Sequence, residues 1–335
     1  MATRKPALHH RGRSKLVQKT KKLTPEKRVE HLLEEGSLQS LIEGKKLNQA
    51  YIKYQWDFYS ELAYQRSLIQ DQLITSLQES AIAGYRFDAW QRVTRWKYSG
   101  HPFSTVGSLV SWGGRFNLGQ DISPSGTLKT FQALYLAQSQ ATAQVEGLGS
   151  GISNSPLSIE EIALANKSSF ACVSVSGALD RVIDLTDKAT LVKFAKLISK
   201  FKVPQSILDS AAQLNIPLPT LIKSPGPLLK SFLNESWRKE PAQFDIPANG
   251  QIFGQLVYLA GIDGIIYPSS KTGEKCLAVF PSNFDGRNSY LRLDDEPPEK
   301  WTPRVISSDN FTLCEKTSDE LNRWANLLTS VIEHD

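Results

Sequence analysis

The hydrophobic period of the chain changes character at Gly84, and that change limits the folds open to it. Over residues 46–83, Tyr51, Tyr54, Phe58, Leu62, Ile69, Leu73 and Leu77 recur at steps of three to four residues or multiples of them. This spacing draws one apolar face on a long helix, with Gly84 as its stop. Beyond Gly84 the helical period is lost. Trp90-Gln91-Arg92-Val93-Thr94-Arg95 alternates in character, as a half-buried strand does. An N-terminal helical extension is therefore expected over residues 24–84, followed by a body of mixed strands and helices. The aromatic stripe of the long helix is read as packing against that body; a partner-binding or dimerisation face is the sharper alternative.

Local signals fill in the rest. Thr24-Pro25 pairs an N-cap residue with Pro at the first helical position. Leu32, Leu33, Leu38, Leu41 and Ile42 follow, interrupted at Gly36. Downstream, Ala133-Leu134-Tyr135-Leu136-Ala137 is a short apolar strand, and Ser139 can cap a helix running to Glu146. Residues 147–157 form a Gly/Ser loop. Residues 170–175 and 182–185 suggest two strands, residues 188–201 and 227–237 two helices, and residues 256–260 the end of another. Residues 265–269 and 276–280 read as strands. Thr317-Ser318-Asp319-Glu320 is a capping box before a helical face of Leu321, Trp324, Leu327 and Val331.

The formal charge of +5 is unevenly spread. Residues 1–28 hold ten Lys or Arg against the single acid Glu26, so this stretch carries +9 and the remaining chain is at −4. Residues 1–23 are expected to be a solvated basic tail, and nucleic acid is an expected partner only through it. No stretch approaches ~18 uninterrupted apolar residues, and the first residues hold no apolar signal core, so no membrane association is expected. Cys172, Cys276 and Cys314 are odd in number and widely spaced, which suits a reducing, cytoplasmic setting, with all three as buried small side chains.

Several chemistries lack their residues. No GxGxxG follows a strand, no Walker loop is present, and Gly147-Leu148-Gly149-Ser150-Gly151 is too loosely constrained to cradle phosphate. HExxH and paired CxxC motifs are missing, so no metal is expected. His9, His10, His31, His101 and His334 fall mostly in tails or polar segments, which leaves little for histidine-centred acid–base work.

What remains is an ordered set: Arg92 in the first strand, Gly113-Gly114-Arg115-Phe116-Asn117, the strand containing Tyr135, the helix ending at Glu146, and later Tyr267-Pro268-Ser269. In this order the chain resembles the RES domain family over roughly residues 85–290. Phe116 stands where the family usually has Trp, residues 121–130 look like an insertion, and Ser270 could replace Ser269 in register. The resemblance implies an α+β, ADP-ribosyltransferase-like RES domain, with residues 291–335 as a C-terminal extension ending in a helix.

It also implies NAD as substrate and cleavage of the nicotinamide–ribose bond, to water or phosphate. The implied setting is the toxin half of a toxin–antitoxin pair blocked by an Xre-type antitoxin or another inhibitory protein. The residue types suit that chemistry. Arg92 and Arg115 can bind the pyrophosphate through planar forks of donors. Bond cleavage builds positive charge on the ribose, and the Glu146 carboxylate can stabilise it. Tyr135 can lie against the cationic nicotinamide ring. Ser269 can fix the Glu146 carboxylate or a ribose hydroxyl. Catalytic roles are thus expected for Glu146, Arg115, Tyr135 and Ser269, and NAD binding for Arg92, Arg115 and Tyr135. Transfer of ADP-ribose to a protein would keep the same residues and change the acceptor. A catalytically idle RES-like binding module is the non-enzymatic alternative.

Overall fold

The computed structural model describes residues 35–122, 129–148 and 170–332. The basic tail, the Thr24-Pro25 helix start, Leu32 and Leu33, most of the insertion at 121–130 and residues 149–157 lie outside these. The chain divides into two compact units, Met1–Lys53 and Tyr54–Asp335. In the first, all described residues are helical.

Two helices replace the single one expected before Gly84: α1 (Glu35–Leu68) and α2 (Gln70–Ser80). The helix stops four residues before Gly84, which instead sits inside strand β1 (Ile82–Arg95) with φ of +66°. Glycine adopts that conformation without the strain that a Cβ would bring. Helical periodicity thus ran past the true boundary, because Ala81 and Ile82 suit either element.

The expected central elements follow: β2 (Leu134–Ala137), α3 (Gln140–Leu148) and β3 (Phe170–Asp184). Ser139 caps α3, its Oγ accepting from Thr142 N–H at 3.2 Å. β3 is one strand of fifteen residues where two were expected. Ser176-Gly177-Ala178 at its middle reads locally as a break, yet β1 pairs along one edge and a later strand along the other. Gly177 is needed there: a Cβ would lie 2.5 Å from Tyr290 O. Tertiary pairing overrides local propensity.

Beyond β3 come α4 (Val192–Ile198), α5 (Gln205–Gln213), α6 (Pro225–Phe232), α7 (Lys239–Phe244) and α8 (Asn249–Leu259). Then follow β4 (Gly264–Pro268), β5 (Lys275–Val279), β6 (Tyr290–Leu293), β7 (Val305–Ile306) and α9 (Ser318–Ile332). The expected capping box holds at α9: Thr317 N–H donates to Glu320 Oε2 at 2.7 Å, and Glu320 N–H donates to Thr317 Oγ1 at 3.3 Å. Leu321 is buried on this helix, whereas Trp324 is exposed.

The sheet runs β1-β2-β5-β4-β3-β6-β7, and β1 also pairs with β3. β1 meets β2 through the pair Gln91–Ala137, so five strands close into a circuit. Alternation along each strand then separates two cores. One face carries Ala133, Ala137, Ile265, Tyr267, Cys276 and Ala278, covered by α2, α4, α6 and α8. The other carries Trp90, Leu134, Leu136, Val175, Ile266, Leu277 and Val279. Residues after 290, expected as an extension, supply β6 and β7, and Leu291, Leu293, Ile306 and Cys314 join this second core. Each fully buried large apolar side chain, such as Phe116 or Phe253, contributes about 1.5–3 kcal/mol.

Candidate active site

The site lies on the helix-covered face and is built around the loop after the η-turn at Val106–Leu109. Gly113 takes φ of +84° in this loop. At Gly114 a Cβ would run into the Tyr135 hydroxyl and Asn117 Oδ1. Asn117 is fully buried and ties the loop together. Its Oδ1 accepts from Gly114 N–H and from the Tyr135 hydroxyl, both at 2.9 Å. Its Nδ2 donates to Ser108 O at 2.8 Å and Phe131 O at 3.2 Å.

Gln251 completes the clamp from α8. Its Nε2 donates to Trp112 O at 2.6 Å and to Gly114 O and Asn117 O at 3.1 Å each. α8 can approach this closely because Gly250 and Gly254 carry no side chain; a Cβ at Gly250 would lie 2.7 Å from Arg115 O, and one at Gly254 would meet Phe116 O. Sequence reasoning missed both Asn117 and Gln251 as supports. At Gln251 the sequence shows an amide flanked by Gly250 and Ile252, but Asn249 and Gln255 on the same helix are amides too, so residue type alone does not single it out.

Held this way, Arg115 is buried at 8% exposure. Its Nη1 donates to Phe232 O at 2.9 Å and Asn234 O at 3.0 Å, and its Nη2 to Ser270 Oγ at 3.4 Å. The two adjacent serines therefore divide the work. Ser269 Oγ donates to Glu146 Oε1 at 2.6 Å, while Ser270 meets Arg115. Ser269 is in turn fixed by the turn that joins β4 to β5, accepting from Lys271 and Thr272 N–H at 3.2 Å each. Gly273, with φ of +79°, donates its N–H to Ser269 O at 3.0 Å. Lys271 Nζ donates to Val145 O at 2.9 Å, anchoring the same turn to the helix that carries Glu146.

Tyr135 has its hydroxyl committed to the loop: it donates to Asn117 and accepts from Phe116 N–H at 2.9 Å. Burial pushes this phenol well above its ordinary pKa, against the Phe116 hydrogen bond and the Arg115 charge. Its ring stays half-buried. Tyr267, quoted in the sequence pattern but given no role, is a further member. It packs edge-on against Phe116 with centroids 4.9 Å apart. Burial raises its pKa, with Cys276, Tyr135 and Glu146 adding to the effect. The Cys276 thiol is pushed up to about 12 by burial and then by Glu146. Arg115, Tyr135, Glu146, Ser269 and Tyr267 thus share one locality.

Arg92 is not brought there. It pairs with Val173 across the β1–β3 ladder, and Trp90 with Val175, so its side chain lies on the side of the second core. Its Nη2 donates to Ser104 O at 2.7 Å, and its Nε is buried without a partner among the described residues. Burial lowers its pKa to about 10. Strand parity is the reason: Gln91 and Val93 take the site-facing positions. His101, expected in a polar segment, is also fully buried, with Nε2 2.9 Å from Leu313 O. Burial, with the Arg92 charge adding to it, lowers its pKa to about 4. Cys276 and Cys314 are buried as expected, but Cys172 is exposed.

Among the described residues no group of three or more His, Cys, Asp or Glu is placed to hold a metal ion. No helix among them is long and apolar enough to cross a membrane.

No curated protein matches the chain. Among solved structures it is similar to the crystal structure of the M. tuberculosis MbcT–MbcA toxin–antitoxin complex, at 13% identity and a TM-score of 0.38, over 74% of this chain and 97% of that one. The family model described as RES domain matches residues 89–301, a span that holds every member of the site described above. The chain belongs to the RES domain family.

Proposed function

We propose that the protein consumes NAD by breaking the bond between nicotinamide and ribose. The observation that carries this reading is the 2.6 Å hydrogen bond from Ser269 to Glu146 Oε1, beside a buried Arg115. Ser269 orients the carboxylate, and no described residue bonds Oε2, which is left to face the ribose. As the glycosidic bond breaks, positive charge grows on the ribose, and a fixed carboxylate stabilises the transition state more than the ground state. Arg115 contributes positive charge for the pyrophosphate, and the Tyr135 ring offers an aromatic face to the nicotinamide. Water or phosphate is the acceptor. Membership of the RES domain family supports a biological role as the toxin of a toxin–antitoxin pair, acting on cytoplasmic NAD and restrained by an Xre-type partner.

The test is incubation of the full chain with NAD, with and without phosphate, followed by NMR. Free nicotinamide is the expected product, with ADP-ribose-1″-phosphate in addition if phosphate is the acceptor. Glu146→Gln keeps the shape and the Ser269 hydrogen bond but removes the charge, and turnover is expected to fall by about 10²–10⁴-fold. Unchanged turnover in that variant would sink the mechanism.

A further inference from the structure

We infer that Arg238 is the second cation of this site and binds the pyrophosphate of the dinucleotide, an assignment that rests on the NAD reading above. A pyrophosphate carries two negative charges, and Arg115 has few donors left for it. A guanidinium has five N–H groups. Both on Nη1 of Arg115 go to Phe232 O and Asn234 O, and one on Nη2 goes to Ser270 Oγ. Arg92, which would have shared the load, lies against the other core.

Arg238 has the position and the freedom that Arg92 lacks. It follows Trp237, whose ring is buried at 7% exposure. The Arg238 guanidinium carbon sits 4.9 Å from the centroid of that ring, and the Arg115 guanidinium carbon 6.0 Å from the same centroid. One indole thus gathers both arginines. Arg238 is exposed, and it makes no ion pair with any carboxylate among the described residues, although Glu235 and Glu240 lie close in sequence. Its charge also reaches the Tyr135 hydroxyl, as that of Arg115 does. Stacking restricts the long side chain before substrate arrives, so less freedom is lost on binding. The arrangement is therefore asymmetric: Arg115 is buried and fixed by protein carbonyls, while Arg238 keeps its donors for an anion.

Two substrates and one probe separate the possibilities. ADP-ribose retains the pyrophosphate but lacks nicotinamide; nicotinamide riboside retains the scissile bond but lacks phosphate. In the full chain, Arg238→Gln is expected to weaken ADP-ribose binding by about tenfold in calorimetry and to raise KM for NAD similarly. The kcat for NAD and the cleavage of nicotinamide riboside should stay within about twofold, and Arg238→Lys should recover part of the affinity. ADP-ribose binding by Arg238→Gln within about twofold of wild type would overturn the assignment, as would an equal loss on nicotinamide riboside. A wild-type protein that binds ADP-ribose in an Arg238-dependent way yet leaves NAD intact would remove the cleavage reading and keep this one.

Discussion

The two faces of the curled sheet each hold an arginine, Arg115 buried and Arg92 half-buried, and they treat it in opposite ways. On the helix-covered face, Arg115 is met by two backbone carbonyls and a serine hydroxyl, beside a carboxylate that Ser269 holds in place. On the other face, Arg92 has, among the described residues, one carbonyl partner and no partner for its Nε, and lies near a neutral histidine and the Cys314 thiol. Burial raises that thiol to about 12, so it offers no negative charge at neutral pH. Free donors do not set the two apart, since Arg92 commits fewer than Arg115; the carboxylate in the same locality as Arg115 does. The first face has a carboxylate whose second oxygen is bonded by none of the described residues; the second face packs Phe103, Phe284 and Leu293 into its core.

The contrast can be broken most directly by removing each guanidinium in turn. Arg115→Met is expected to lower kcat/KM for NAD by at least about 100-fold, whereas Arg92→Met should leave it within about twofold. Steady-state kinetics on both variants, with melting temperatures alongside, decide this; an equal loss in the two would mean that both faces serve the substrate. The next effect is one of packing. Gly114→Ala places a methyl group against the Tyr135 hydroxyl and Asn117 Oδ1, so the loop must shift. A destabilisation of roughly 1–3 kcal/mol is expected, with activity falling as Arg115 moves. Denaturant titration checks it, and a variant as stable as wild type would show that the loop yields more easily than its hydrogen bonds suggest.

The smallest effect belongs to the closed face. His101 has a pKa of about 4 in the folded chain against 6.5 when free. The unfolded state therefore binds more protons between these values, and stability contributed by neutral His101 is complete above pH 6.5 and is lost as pH falls towards 4. The slope from this group is at most about 1.4 kcal/mol per pH unit. Replacing His101 by Gln should flatten the stability profile in that window, and an unaltered slope would assign the acid sensitivity elsewhere.

How much of this could be read from the sequence depends on whether the information was local. Arg115, Tyr135, Glu146 and Ser269 were singled out through the order and local context in which the RES domain family carries them, and the structure brings them to one locality. Arg92 was legible as a residue type, but its direction was not. A strand's parity is set by its partners, here Val173 and Val175 some eighty residues away. The supports Asn117 and Gln251 escaped notice because a buried amide looks like any polar residue until the carbonyls it serves are in place. Arg238 escaped for the opposite reason: an exposed arginine beside a tryptophan is common, and only the second arginine on that ring distinguishes it. In the fold, the continuity of β3 through Ser176-Gly177-Ala178 depended on strands on both sides of it.

The bond between Ser269 and Glu146 also has a meaning in time. Its partners are 123 positions apart, and the strand that leads to Ser269 docks between β3 and β5. At about 5–20 residues per second, a ribosome needs roughly 6–25 s to go from one residue to the other. During that interval Glu146 has left the translation machinery without the hydroxyl that orients it, and Arg115 without Ser270. The carboxylate and the arginine are thus made seconds before the hydroxyls that hold them, and the site is complete only once the turn after β4 has been synthesised.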